Sequence, residues 1–164
     1  MSIKQDCLKK LSYDHETGVF RWLANGTRGV KAGDIAGTKN SYGYIVLSVG
    51  GKKILAHRVA WLFVYKDFPY GHIDHINRNK SDNRIANLRN ANAEQNAQNR
   101  QKNCKNTSGY KGVTWHKRDK KWQASITIKG HKKHLGYYKN AKDAYSAYVK
   151  ASKKYQTHSI FQKD

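Results

Sequence analysis

GHIDHINRNKSDNRIANLRNANAEQNAQNR, residues 71–100, holds few apolar side chains and a long series of asparagines. Neither a strand period nor a helix period of apolar residues runs through it, so packing alone does not account for its composition. The pattern predicts a short strand over 73–76, a loop over 77–84, a second short element over 85–88 and a helix over 92–100. In that β–loop–β–α unit Asp74 and His75 end the first strand, Asn87 lies in the second element and Asn96 lies on the helix. An Asp carboxylate and an Asn carbonyl oxygen are hard donors suited to magnesium. A neighbouring imidazole is close to neutral at pH 7 and can take a proton from water. A metal there would offset charge on a phosphate and on a departing oxygen. Each residue also has a plainer role. Asp74 could cap or pair with a neighbouring Arg, His75 could be structural, and Asn96 could face solvent with Asn92 and Asn99 as competitors. His72 and His57 are further candidate ligands of lower rank, His57 being better suited to positioning the adjacent hairpin or touching a phosphate.

Outward toward the N-terminus, Ile3, Cys7, Leu8 and Leu11 have helical spacing. DHETG is a turn in which Gly18 supplies an unusual backbone angle. VFRWL (19–23) is expected to be a strand, and 24–40 a loop with short strands. GYIVLSV (43–49) and KKILAHR (52–58) form a hairpin about Gly50-Gly51. RVAWLFVY (58–65) suits a buried helix better than a strand, ended by Pro69.

Outward toward the C-terminus, residues 101–109 contain no large apolar side chain and are expected to link two modules. Three strands follow, within YKGVTWH (110–116), WQASITI (122–128) and KHLGYY (133–138). Asn140 is placed to cap a helix, with Asp143 in a capping-box-like position. Ala144, Tyr148, Ala151 and Tyr155 mark one face of that helix. Along the central strand Trp122, Ala124, Ile126 and Ile128 share the face toward the helix, and Gln123, Ser125 and Thr127 share the other.

Charge names the class of partner. Among 164 residues, 32 Lys+Arg stand against 11 Asp+Glu, a net charge of +21. Residues 101–164 carry 16 basic and 3 acidic residues, and residues 1–100 carry 16 and 8. So much positive charge repels itself unless a polyanion neutralises it, and nucleic acid is the commonest such partner. Two cysteines far apart, Cys7 and Cys104, give no Cys-x-x-Cys zinc pattern and fit a reduced, intracellular setting. MSIKQDCLKKLSYD lacks the apolar stretch of a signal peptide, and no long apolar run suits a membrane. No protein partner is implied.

Two resemblances sharpen this. HIDHINRNKSDNRIANLRNANAEQNAQN resembles the HNH motif, in its HNN variant, of phage and intron-encoded homing endonucleases, and YDHETGVFRW and AHRVAWL are similar to segments upstream in those enzymes. The resemblance implies a ββα-metal site, with His75 as general base, Asp74 and Asn96 as ligands of a divalent metal such as magnesium, and Asn87 fixing the loop that orients His75. Many HNH enzymes have His where this chain has Asn96. The HNN form is associated with nicking, so one-strand and two-strand cleavage both stay open. GYKGVTWHKRDKKWQASITIKGHKKHLGYYKNAKDAYSAYVKASKKY resembles the APETALA2-type (ethylene-response-factor) DNA-binding domain. That likeness implies a sheet laid in the DNA major groove with Lys111, Thr114, His116, Arg118, Thr127, Lys132, His134 and Tyr137 toward DNA. Several of these positions are Arg in the plant domains, so base specificity does not carry over.

The expectation is an α+β protein: an HNH nuclease domain over 1–100 with an N-terminal hairpin region, a linker over 101–108, and a βββα DNA-binding domain over 109–164. Its reaction would be metal-dependent hydrolysis of double-stranded DNA at chosen sites, in the cytoplasm of a phage-infected bacterium. The alternatives are a DNA-binding regulator with an inactive nuclease domain, an RNA-binding protein using its Tyr-rich strands, and a packaging factor for which charge alone suffices.

Overall fold

Ser2 and Gln5 form a reciprocal capping box that starts α1 (Ile3–Lys10). The computed structural model describes residues 2–100, 102, 105–159 and 161. The chain divides into two compact units, 1–91 and 92–164. It is α+β, with four α-helices and small antiparallel sheets among the described residues.

In the first unit α1 stops one residue before the expected Leu11, which instead begins β1 (Leu11–Tyr13). β1 pairs antiparallel with β2 (Phe20–Trp22). The turn between them needs Gly18. Its φ is +74°, and a Cβ there would lie 2.5 Å from the Arg84 nitrogen and 2.6 Å from the Asn83 carbonyl carbon. β3 (Thr38–Lys39), β4 (Ile45–Val49) and β5 (Lys52–Leu55) form a second sheet in that order.

The strand expected through Arg58 ends at Leu55, and α2 runs Ala56–Tyr65. Ala56, Val59, Ala60 and Leu62 are fully buried at helical spacing, so burial of one helical face overrides the strand-like local pattern. Nor does Pro69 stop α2. Lys66 does, in the left-handed region (φ +64°), with its N–H donated to the Leu62 carbonyl at 2.9 Å. Leu11, Phe20, Leu47, Val49, Val59 and Leu62 fill the core.

β6 (His72–His75) and β7 (Leu88–Ala91) form a two-stranded antiparallel sheet, with Asp74 opposite Arg89 and His75 opposite Leu88. The expected second element is a 3-10 turn, Ile85–Asn87, leading into β7.

The second unit opens with α3 (Ala93–Asn99), begun by an Asn92/Gln95 capping box. α3 is expected above within the first domain, yet it falls in the second unit. The reason lies in its bonds: Glu94 Oε1 accepts from the Lys129 N–H at 2.6 Å, and Gln98 Oε1 accepts from the His158 N–H at 3.0 Å. Part of the expected linker, including Cys104, lies outside the described residues. Its end is bonded down, since the Asn106 Nδ2 and Ser108 Oγ both donate to the Tyr110 carbonyl.

β8 (Val113–His116), β9 (Lys121–Ile128) and β10 (His131–Tyr138) make a three-stranded antiparallel sheet in chain order. α4 (Ala141–Tyr155) packs against it, burying Ala144 and Tyr148 with Val113, Ala124 and Ile126. Asn140 occupies the N-cap position of α4, but its side chain makes no cap bond. Its amide instead donates to the Asp143 carboxylate at 3.3 Å, so the expected capping box is absent.

Candidate active site

β6 delivers Asp74 and His75 into the interior, 6% and 4% exposed. Arg89, opposite Asp74 across the ladder, donates from Nε and Nη2 to Asp74 Oδ2, at 2.9 and 2.7 Å. The plainer role of Asp74, pairing with an Arg, is therefore realised in this geometry. His72, at the exposed start of β6, is not part of this buried group.

Beyond His75 the chain turns sharply, with Arg78 at φ +64° and its N–H donated to the His75 carbonyl at 2.9 Å. Asn87 fastens this loop at both ends. Its Oδ1 accepts from the Asn77 N–H at 2.9 Å, and its Nδ2 donates to the Asp82 carbonyl at 2.9 Å. Asp82 in turn receives Arg84 and Asn77 side-chain bonds, and Arg84 above all holds its carboxyl down to about 2. The end of β1 and the turn at Gly43 brace the loop from outside. Tyr13 Oη donates to the Asn83 carbonyl at 2.7 Å, while Ser81 Oγ donates to the Gly43 carbonyl at 3.0 Å.

His57, from the first turn of α2, meets His75 edge to face with ring centres 5.1 Å apart. Tyr44 closes the cluster, 5.4 Å from His57 and 5.9 Å from His75. Burial pushes the His57 imidazole down to about 3, helped by His75 and Arg58. Burial likewise holds His75 below its ordinary value, while the Asn83 amide, then Asp74 and Asp82, pull the other way. Both rings are thus neutral at pH 7, and a neutral imidazole can accept a proton. His57 Nδ1 has no hydrogen-bond partner among the described residues. Arg89 and Tyr44 are parts of this site that sequence reasoning missed. The Asp74–Arg89 pairing depends on strand register, which the short β7 does not announce.

Asp74, His75 and Asn87 are brought together in the first unit, whereas Asn96 is a half-buried residue of α3 in the second. Among the described residues no three His, Cys, Asp or Glu side chains stand close enough to hold a metal ion. Magnesium needs no such trio, since it keeps several waters and takes one or two protein oxygens together with substrate phosphate. The Asp74 carboxylate is an oxygen donor of that kind.

In the second unit, ladder register sets Thr114, Gln123 and Tyr137 in one row, with Ser125 beside His134 and Thr127 beside Lys132. These alternate with the residues buried under α4, so they share the opposite face. Rings cluster there: Tyr137 lies 5.1 Å from His116 and 4.6 Å from His134, and Gln123 Nε2 is 3.0 Å from His134 Nδ1. Arg118 projects from the β8–β9 turn, bonded to Asp119. Lys111 has a different position. Its ammonium donates to the Gln98 and Arg100 carbonyls at 2.6 and 2.7 Å, at the C-terminal end of α3.

Residues 55–98 match the HNH endonuclease family, a span that includes His57, Asp74, His75, Asn87 and Asn96. Protein 3.8 of Escherichia phage T7 is 35% identical over 75 residues, which are 45% of this chain and 62% of that protein, less than two thirds of its length. No solved structure matches the chain. No described helix is long and apolar enough to cross a membrane.

Proposed function

We propose that this protein is a metal-dependent endonuclease that hydrolyses phosphodiester bonds of double-stranded DNA, starting from the likeness of residues 55–98 to HNH endonucleases. The observation that carries the reading is the pair of hydrogen bonds by which Asn87 holds the loop after His75, whose buried, neutral imidazole ends β6. His75 is the general base. It takes a proton from water as the water oxygen bonds to phosphorus, and the departing sugar oxygen leaves with the electron pair of the broken P–O bond. Asp74 and Asn96 are the residues assigned to a divalent cation, magnesium by donor type. When bound, that cation stabilises negative charge on the phosphate and leaving oxygen. Asn87 is a positioning residue.

The C-terminal βββα module is proposed as an APETALA2-type reader that tethers the nuclease to its sites in phage or host DNA, which raises the local concentration of substrate. Thr114, His116, Arg118, Thr127, Lys132, His134 and Tyr137 form its DNA face, and Lys111 is withdrawn from it. One observation favours a second reading, a DNA-binding regulator with an inactive nuclease fold: Arg89 holds the carboxylate that a metal would use.

The test is conversion of supercoiled plasmid with magnesium, with chelator, and by His75→Ala. Magnesium-dependent nicking or linearisation that the variant loses, at nearly unchanged DNA affinity, is the expected result. It also counts the strands cut. Tight binding with no cleavage of plasmid or phage DNA would select the regulator.

A further inference from the structure

Tyr42 is 76% exposed, yet the turn that carries it is rigidly built. Asn40 Oδ1 accepts from the Tyr42 and Tyr44 N–H groups, both at 3.0 Å, and the Asn40 and Gly43 N–H groups close the turn on the Tyr44 and Asn40 carbonyls. The turn is also fastened to the loop after His75. Lys80 Nζ donates to the Tyr42 carbonyl at 3.1 Å and sits 4.8 Å above the Tyr44 ring, which itself meets His75. The stems of Lys39 and Lys80 both approach Gly43, each 3.9 Å from where its Cβ would be. An exposed ring thus stands two residues from the ring that touches the general base, on a turn that the stems of two exposed lysines approach.

A solvated tyrosine needs none of this support. An exposed aromatic on a braced turn, with two lysines beside that turn, fits a nucleotide, whose base offers a π-face and whose flanking phosphates offer negative charge. The geometry points to the 40–44 turn as a DNA-contacting element, in which Tyr42 stacks on a base displaced beside the cut and Lys39 and Lys80 hold the adjacent phosphates. This rests on the nuclease reading for which step is cut.

Binding of the full chain to labelled duplexes in chelator tests it without requiring cleavage, one duplex fully paired and one with a central mismatch where a base leaves the stack at lower cost. Tyr42→Ala is expected to lose about five- to hundredfold in affinity for the mismatched duplex, and less for the paired one. Tyr42→Phe, which keeps the ring, should restore the loss. Lys39→Ala should lower the salt slope of log affinity by about 0.9. Affinity of Tyr42→Ala equal to the parent on both duplexes, or an equal loss on both, would overturn the stacking. A slope unchanged in Lys39→Ala would overturn the phosphate contact. Absence of plasmid cleavage by the parent protein would count against the nuclease reading alone.

Discussion

Arg89 presents the sharpest energetic conflict in the first unit, because its guanidinium satisfies the carboxylate that a cation would need. A buried pair broken on one side leaves an uncompensated charge, which costs about 3 kcal/mol or more. Arg89→Ala should therefore lower stability in metal-free buffer. Magnesium should return more of it than in the parent, because a ligand that binds only the folded state raises the melting temperature. Melting curves across a magnesium titration check this, and identical magnesium responses would remove Asp74 as a ligand. His57 carries a pH dependence of definite sign. Its imidazole titrates near 6.5 when unfolded and is pushed down to about 3 in the fold, so the unfolded chain binds more protons between those values. Stability from this group is complete above 6.5 and declines as pH falls toward 3. The slope is about 1.4 kcal/mol per pH unit, or roughly 2 kcal/mol by pH 5. His75, also lowered, adds in the same direction. Urea midpoints at pH 7 and pH 5 should converge for His57→Gln relative to the parent; an unchanged pH slope in the variant would refute the assignment.

At the scale of elements, the sites at which one residue type decides the geometry are few. Gly112 is one of them. It has φ +75°, and a Cβ there would lie 2.8 Å from the Ser125 carbonyl oxygen and press into the Tyr148 ring. Gly112→Ala should cost the second unit more than about 1 kcal/mol, through left-handed strain and through displacement of α4. A urea midpoint equal to the parent's would show that α4 can shift freely. The strands of this unit were legible because Val113, Ala124 and Ile126 alternate with polar residues, and α4 because Ala144, Tyr148 and Ala151 recur at helical spacing. The start of α2 was not legible. KKIL and AHR continue one local pattern, and burial of Ala56, Val59 and Ala60 in the folded unit ends the strand at Leu55. In the site, Asp74, His75 and Asn87 stood out as polar residues that packing could not explain. Arg89 and Tyr44 did not, because ladder pairing and a turn distant in sequence bring them in.

Over the whole molecule, the charge of +21 supplies non-specific attraction to any polyanion, so affinity alone does not assign the second unit's task. Removing that unit is not a clean test either. α3, which carries Asn96, loses the Lys111 bonds to its final carbonyls, the Lys129 bond to Glu94 and the His158 bond to Gln98 when residues 109–164 are deleted. A seven-residue helix cannot persist by propensity alone, since isolated helices under about 12 residues are marginal. The truncated chain should therefore lose cleavage as well as binding. Substitution on the outward sheet face separates the two effects. Lys132→Ala with Tyr137→Ala leaves α3 and the buried face of the sheet intact, so it should weaken DNA binding and reduce the salt slope by about 0.9 for the one lysine. The cleavage rate at saturating DNA should stay within about twofold, because only interactions stronger in the transition state than in the bound state change that rate. A parent-like affinity and slope would take the sheet face out of DNA binding. A large loss of rate at saturation would mean that this face acts in the cleavage step and not in delivery alone.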